Sequence, residues 1–193
     1  METDIASNNR ASIQERLGDR SIVLVGLMGA GKTTVGRRVA TLLSLPFVDS
    51  DAEIEQVSTM SVPELFEAYG EPEFRALEAR VIARLAQEGP QVIATGGGAF
   101  MNAETRSLLA DSAVTVWLKA DLDTLMERVG RRGDRPLLKA ENPRQVMQDL
   151  MAVRYPVYGE ADVTVQSRAV KREVVAAEVI QAIEEYLSER SER

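Results

Sequence analysis

Cysteine is absent from this sequence, and so is histidine. Without thiols there is no disulfide and no thiolate metal centre. Without imidazole, a general base has to be a carboxylate, a lysine or a tyrosine. No apolar run approaches the roughly 20 residues a membrane-spanning helix needs, and the N-terminus lacks the apolar core of a secretory signal. These absences lead to the expectation of a cytoplasmic protein with no membrane partner. Positive charge is in the minority, with 23 Lys and Arg against 30 Asp and Glu and a formal net charge of −7. That balance argues against nucleic acid as a partner. Arg128, Arg131, Arg132 and Arg135 nevertheless lie close enough in sequence to build a local anion site.

What the sequence does contain is one strong motif. Gly26-Leu27-Met28-Gly29-Ala30-Gly31-Lys32-Thr33 matches the P-loop pattern G-x-x-x-x-G-K-[ST]. Before it runs Ser21-Ile22-Val23-Leu24-Val25, a short β-branched segment that reads as a buried strand. After it, Val35, Val39, Leu42 and Leu43 recur on one helical face. The plainer alternative is a glycine turn with a solvated lysine, but strand, glycine loop and helix in this order are what the motif requires. Backbone N–H groups of Gly29, Ala30, Gly31, Lys32, Thr33 and Thr34 can curl around phosphate oxygens at a helix N-terminus. Lys32 is then expected to reach the β- and γ-phosphates, and the Thr33 hydroxyl to ligate Mg²⁺. The chain is read as binding a nucleoside triphosphate.

With 193 residues, 45% hydrophobic and 27% charged, the chain suits a single soluble domain. Residues 1–20 are polar and read as a flexible tail or a short loose helix, leaving 21–193 as the domain. Further strands are expected at Phe47-Val48, at 91–94, at 113–118 and at 161–165. Helices are expected at 52–57, from Ser61 to Tyr69, at 72–87, from Asn102 to Ala110, and from Asp121 to Val129. A helix from Asn142-Pro143 would turn Val146, Leu150 and Val153 inward, and a closing helix would bury Val175, Val179, Ala182 and Tyr186. Gly130 to Leu138 reads as a loop. Short apolar strands alternating with helices imply an α/β fold with a parallel sheet flanked by helices, whose ligands bind beyond the strands' carboxyl ends.

Three stretches lie at such ends: the P-loop, Asp49-Ser50-Asp51, and Thr95-Gly96-Gly97-Gly98. Asp49 and Asp51 can both face the crevice if the extended trace persists, one holding Mg²⁺ and the other accepting a hydroxyl proton. Either can equally cap the helix that follows. Three glycines in succession let backbone N–H groups approach a ligand, although a structural turn is the alternative. Arg75 sits between Glu71 and Glu78 and can be a solvated ion pair; Arg154 can simply complement a helix dipole. Taken together, these cations suit an enzyme that moves a phosphoryl group.

Several stretches resemble the shikimate kinase family, in its order and with similar spacing across about residues 21 to 186. They are 26–37, Phe-Val-Asp-Ser-Asp (47–51), Gly-Glu-Pro-Glu-Phe-Arg (70–75), Thr-Gly-Gly-Gly-Ala (95–99), Arg-Pro-Leu-Leu (135–138) and Arg-Tyr-Pro-Val-Tyr (154–158). The resemblance implies a P-loop kinase fold, five parallel strands in the order 2-3-1-4-5 with a mobile lid at about 130–138. It also implies transfer of the γ-phosphoryl group of ATP to the 3-hydroxyl of shikimate, with Mg²⁺, in aromatic amino-acid biosynthesis. By the same resemblance Lys32, Asp51 and Arg135 are catalytic, with Asp51 the base. Thr33 and Asp49 serve the metal, and Asp49 also a substrate hydroxyl. Arg75 and Arg154 hold the shikimate carboxylate, and Gly96, Gly97 and Gly98 contact the substrate. Arg135 reaches the ATP phosphates and Arg128 lies near the adenine. A monomer is expected. Rival readings are weaker: the chain lacks the Asp-Gly-Phe-Pro-Arg-like segment of nucleotide kinases and the Asn-Lys-x-Asp pattern of switch GTPases, and its Lys32, Asp51 and Arg135 speak against a non-catalytic sensor.

Overall fold

A computed structural model describes residues 11–131 and 141–191. Its centre is a parallel sheet in the order β2-β3-β1-β4-β5, as the family resemblance implies. The strands are β1 (Ser21–Val25), β2 (Phe47–Asp49), β3 (Val92–Ala94), β4 (Ala113–Lys119) and β5 (Val163–Gln166). Every residue of β1 and of β3 is buried, which is why both read as unbroken apolar runs. Register decides where the chemistry emerges. Leu24 pairs with Ala94, and Ala94 pairs with Asp49. The three chains therefore leave the sheet at nearly the same level, sending the P-loop, residues 50–51 and the glycine run to one edge.

Helices cover both faces. They are α1 over residues 11–17, α2 (Lys32–Leu43), α3 (Ser50–Ser58), α4 (Val62–Gln87), α5 (Ala103–Ser112), α6 (Leu122–Gly130), α7 (Pro143–Tyr158) and α8 (Arg172–Ser191). Local signals explain most of their starts. Ser61 and Glu64 form a reciprocal capping box for α4, and Asn102, Asp121 and Asn142 each cap the following helix with a side-chain oxygen. The helix pair expected on either side of Gly70 is present as α4 with a sharp break, Gly70 standing at φ 79° and ψ 171°.

Three expectations need correction. The short helix offered for the N-terminal stretch is present at residues 11–17, but it is packed and not loose: Ile13 and Leu17 lie fully inside the main core, so the packed domain begins upstream of Ser21. Gln14 Nε2 donates to the Leu43 carbonyl at 2.6 Å, tying α1 to the end of α2. The remainder of the expected tail, residues 1–10, lies outside the described residues. In α7 the inward face is Met147 and Tyr158, with Leu150, Met151 and Tyr155 partly buried, whereas Val153 is 64% exposed and Val146 37%. The period was right and the phase was off, because Met and Tyr occupy the buried stripe and β-branched valines face solvent. In α8 the fully buried positions are Val175, Ala176, Val179, Ile183 and Leu187, with Ala182 and Tyr186 at the flank.

The chain's single tryptophan, Trp117, pairs with Val25 in the sheet and packs edge-on to Tyr155 at 4.9 Å between ring centres. Tyr158 lies 5.9 Å away on the same aromatic cluster. No helix among the described residues is long and apolar enough to cross a membrane.

Candidate active site

The edge defined by strand register opens into a cleft of about 390 Å³ lined by the P-loop, Asp49, Asp51, Gly96, Gly97 and Arg128. The P-loop half is built mainly from backbone. Gly26, Gly29 and Gly31 all have positive φ, at 143°, 83° and 94°. Gly31 caps α2 without any side-chain bond, and the first turn of α2 carries no acidic residue. The first N–H groups and the positive end of the helix dipole are thus left for an anion. Lys32 Nζ donates to the carbonyls of Gly26 (2.8 Å) and Leu27 (3.0 Å), which holds its charge over the loop. Arg128 buttresses the loop from outside: its Nη1 donates to the Gly29 carbonyl at 3.1 Å and to Ser167 Oγ at 2.8 Å. Ser167 Oγ in turn donates to the Ala30 carbonyl at 2.7 Å. Burial lowers the pKa of Arg128. Arg135, Arg132 and most of the 130–138 segment lie outside the described residues.

The carboxylate pair departs from the expected geometry. The extended trace does not persist past Asp49; Asp51 belongs to the first turn of α3. Asp49 caps the helix and also meets the P-loop. Its Oδ1 caps α3 by accepting from the Asp51 N–H at 3.1 Å, and its Oδ2 accepts from Thr33 Oγ1 at 2.8 Å. Helical geometry still leaves Asp51 in the cleft, where a Cβ built on Gly96 would lie 2.8 Å from Asp51 Oδ1.

The same imaginary Cβ would lie 2.8 Å from Oε1 of Glu78, a residue that sequence reasoning gave only the role of an ion-pair neighbour. Glu78 is 2% exposed. Its Oε2 accepts from Arg75 Nη1 at 2.7 Å, while Oε1 is buried with no hydrogen-bond partner among the described residues. Burial, reinforced by the nearby Asp51 charge, pushes the Glu78 pKa up, with Arg75 and Arg154 opposing. A signal for it existed: Glu78 is in phase with Phe74, Val81 and Leu85, so a charge sits on the apolar stripe of α4.

Arg75 is paired with Glu71 (3.3 Å) as well as Glu78, yet it is no ordinary solvated pair. Its guanidinium sits against Gly98 so closely that a Cβ there would meet Cζ at 2.5 Å. Burial works against the Arg75 charge, but the bonds to Glu78 and Glu71 outweigh it and hold the pKa above its ordinary value. Arg154 comes to the neighbouring glycine, with Nη1 3.3 Å from a Cβ built on Gly97. Two cations from α4 and α7, 79 residues apart in sequence by their numbers (154 − 75), thus flank adjacent positions of one loop. Tyr158, also missed as a site residue, donates its hydroxyl to the Gly97 carbonyl.

Known proteins with this sequence pattern and geometry are consistent in kind. The shikimate kinase family model matches residues 28–184. A shikimate kinase of Mesorhizobium japonicum is 64% identical over 173 residues, covering 90% of this chain and 85% of the relative. One from Brucella canis is 58% identical over 176 residues, covering 91% and 88%. The solved structure of the Acinetobacter baumannii shikimate kinase in complex with shikimate has a TM-score of 0.81 at 41% identity, covering 85% of this chain and 92% of that one. A gluconokinase structure from Sinorhizobium meliloti, at 21% identity and TM-score 0.56, shares the fold, covering 90% and 94%.

Proposed function

The chain belongs to the shikimate kinase family, and from that premise we propose how its residues divide the transfer of the γ-phosphoryl group of ATP to the 3-hydroxyl of shikimate. The backbone of Gly29 to Thr34 cradles the phosphates, and Lys32 supplies positive charge to the β- and γ-phosphates. Arg128 flanks the adenine side. Thr33 and Asp49 suit Mg²⁺: both offer hard oxygen donors, 2.8 Å apart, at the mouth of the phosphate loop. Bound there, Mg²⁺ neutralises charge on the β- and γ-phosphates.

On the acceptor side, Arg75 and Arg154 hold the carboxylate of shikimate against Gly96, Gly97 and Gly98, and Asp51 and Asp49 address its hydroxyls. Asp51 orients the 3-hydroxyl toward phosphorus. As the new O–P bond forms and the bond to ADP breaks, the hydroxyl proton passes to Asp51. An alcohol is far less acidic than a carboxylic acid, so this transfer comes late, as a loose transition state permits. Arg135, outside the described residues, is assigned by motif alone to the phosphates and to a lid at about 130–138. A monomeric, single-domain enzyme of the cytoplasm completes the reading.

The observation that carries it is the convergence of Thr33, Asp49 and Asp51 in one cleft beside a glycine loop flanked by two arginines. The test is a coupled ADP-release assay with ATP, Mg²⁺ and shikimate, gluconate or nucleoside monophosphates as acceptors. Shikimate is expected to turn over with the highest kcat/KM. Preference for gluconate or a nucleotide would refute the assignment of the acceptor site.

A further inference from the structure

Ser50 stands between the two aspartates of the cleft, and its side chain is fully buried. A hydroxyl without access to water needs a partner inside the protein, and this one reaches another element for it. Ser50 Oγ accepts from the Gly96 N–H at 3.3 Å. The segment it grips is also tied to β1, where the Thr95 N–H and Oγ1 both donate to the Leu24 carbonyl, at 3.2 and 2.9 Å. Ser50 opens α3, Asp51 follows it, and Asp49 joins the same turn to Thr33 of the P-loop. The first turn of α3 is therefore moored twice, to the P-loop by Asp49 and to the glycine loop by Ser50. Asp51 stands at the second mooring, its Oδ1 2.8 Å from where a Cβ on Gly96 would be.

We propose that Ser50 is a positioning residue for the phosphoryl transfer, its hydroxyl locking the first turn of α3 to Gly96 and so setting where the Asp51 carboxylate stands against the acceptor. The inference rests on the reading of Asp51 as the group that orients the 3-hydroxyl. Aspartate has a short side chain, so its carboxylate goes where its backbone goes. The bond from Asp49 to Thr33 holds one side of the turn and leaves it free to pivot; the bond at Ser50 removes that freedom. Misplacing a reacting group by about 1 Å can cost about 10²-fold in rate, so a single bond that holds Asp51 in place is felt in kcat. Gly96 gains a second reason to be glycine. Its N–H belongs to Ser50, and its missing Cβ leaves room for the carboxylate oxygens of Asp51 and Glu78. Ser50 acts through Asp51 and takes no proton itself.

The test is S50A, with S50C beside it because a thiol fills the space of the hydroxyl but is a weak acceptor. In both variants kcat should fall about three- to tenfold, the range of one hydrogen bond, while KM for ATP stays within about twofold. The fall in kcat/KM for shikimate should match the fall in kcat, the mark of an interaction felt in the transition state. Far-ultraviolet circular dichroism should stay native. In a D51N background S50A should change kcat less than about twofold, because the carboxylate it positions is gone. The inference is overturned by wild-type kcat in S50A or in S50C, by a defect confined to KM, or by an equal loss in the D51N background. Failure of both variants to fold overturns it too, since the hydroxyl would then serve the core alone. D51N by itself separates the levels. If D51N lowers kcat and S50A does not, only the role of Ser50 fails. If D51N leaves kcat unchanged, the reading of Asp51 fails and takes this inference with it.

Discussion

The two halves of the cleft are made in different ways. The phosphate half is local: one strand, one loop and one helix, contiguous from Ser21 to Leu43, with backbone groups as its principal donors. The acceptor half is assembled from α3, α4, the glycine loop and α7, and side chains do its work. Backbone donors at a helix N-terminus need no partner to hold them in place, since the helix does so. Side-chain cations need holding, and for Arg75, Glu78 and Glu71 do it. The phosphate half should accordingly fail at the residue that carries charge. The acceptor half should fail also when its supports are changed.

The largest effect belongs to the phosphate half. Lys32→Ala removes the charge meant for the transferred phosphates and should lower kcat by at least about 10³-fold, while far-ultraviolet circular dichroism stays native. Wild-type kcat in that variant would end the phosphate role of Lys32. Next come the two carboxylates at the seam. Asp51→Asn should cost about 10²- to 10⁴-fold in kcat with ATP affinity almost unchanged. Asp49→Asn should be partly rescued by raised Mg²⁺, because its Oδ2 faces Thr33. A Mg²⁺ titration of both variants decides the matter, and rescue of Asp51→Asn alone would mean the two roles are exchanged.

A smaller effect sharpens the contrast within the acceptor half. Arg75→Ala removes one charge-assisted contact and should reduce kcat/KM for shikimate by roughly ten- to a hundredfold, about 1.5–3 kcal/mol, with KM for ATP steady. Gly98→Ala keeps the arginine but puts a methyl group where Cζ now approaches to 2.5 Å, so it should reproduce much of that defect. If Gly98→Ala is silent, Arg75 is free to move and the support argument fails.

The smallest effect is a pH dependence. Glu78 has a raised pKa in the folded protein, from burial first and the Asp51 charge in addition. The native state then holds this proton more tightly than the unfolded chain does. The associated stability is fully present below the unfolded value of about 4.3 and is lost as pH rises through the raised folded value. Glu78→Gln cannot titrate. The stability of wild type minus that of Glu78→Gln should therefore fall as pH climbs from about 4, by at most about 1.4 kcal/mol per unit, and then level off. Chemical denaturation across that range measures it, and a flat difference would place Glu78 at its ordinary pKa.

Legibility from sequence follows the same division. The P-loop and the helix starts at Ser61, Asn102, Asp121 and Asn142 could be read because each is decided within a few residues, whereas the strand order came from the resemblance across the whole domain. Asp49 and Asp51 were legible as a pair and as candidate caps, but the start of the helix at Ser50 was not, because two aspartates two residues apart are equally good caps and only the fold selects Asp49. Glu78 and Tyr158 escaped because their importance lies in tertiary approach to Gly96 and Gly97, more than 15 residues away in sequence for each. The phase of α7 escaped because periodicity gives a repeat and not an origin. The packing of residues 11–17 into the core escaped because two buried side chains, Ile13 and Leu17, make too short a pattern to outweigh polar neighbours.

Trp117 gives the molecule an optical consequence. It is the only tryptophan in the chain, so its emission is a single-site signal. The indole lies against the start of the P-loop, where Cδ1 would be 3.6 Å from a Cβ on Gly26, and Lys119 Nζ stands 5.1 Å from the ring centre. Its N–H is buried with no hydrogen-bond partner among the described residues, and its edge contact with Tyr155 couples it to α7. Indole emission shifts with the local electric field, and this ring sits in the fields of both halves. A titration with nucleotide and then with shikimate therefore reads each binding event from inside the protein, without a label. Mixed rapidly, the same signal would time them and reveal which substrate the cleft takes first.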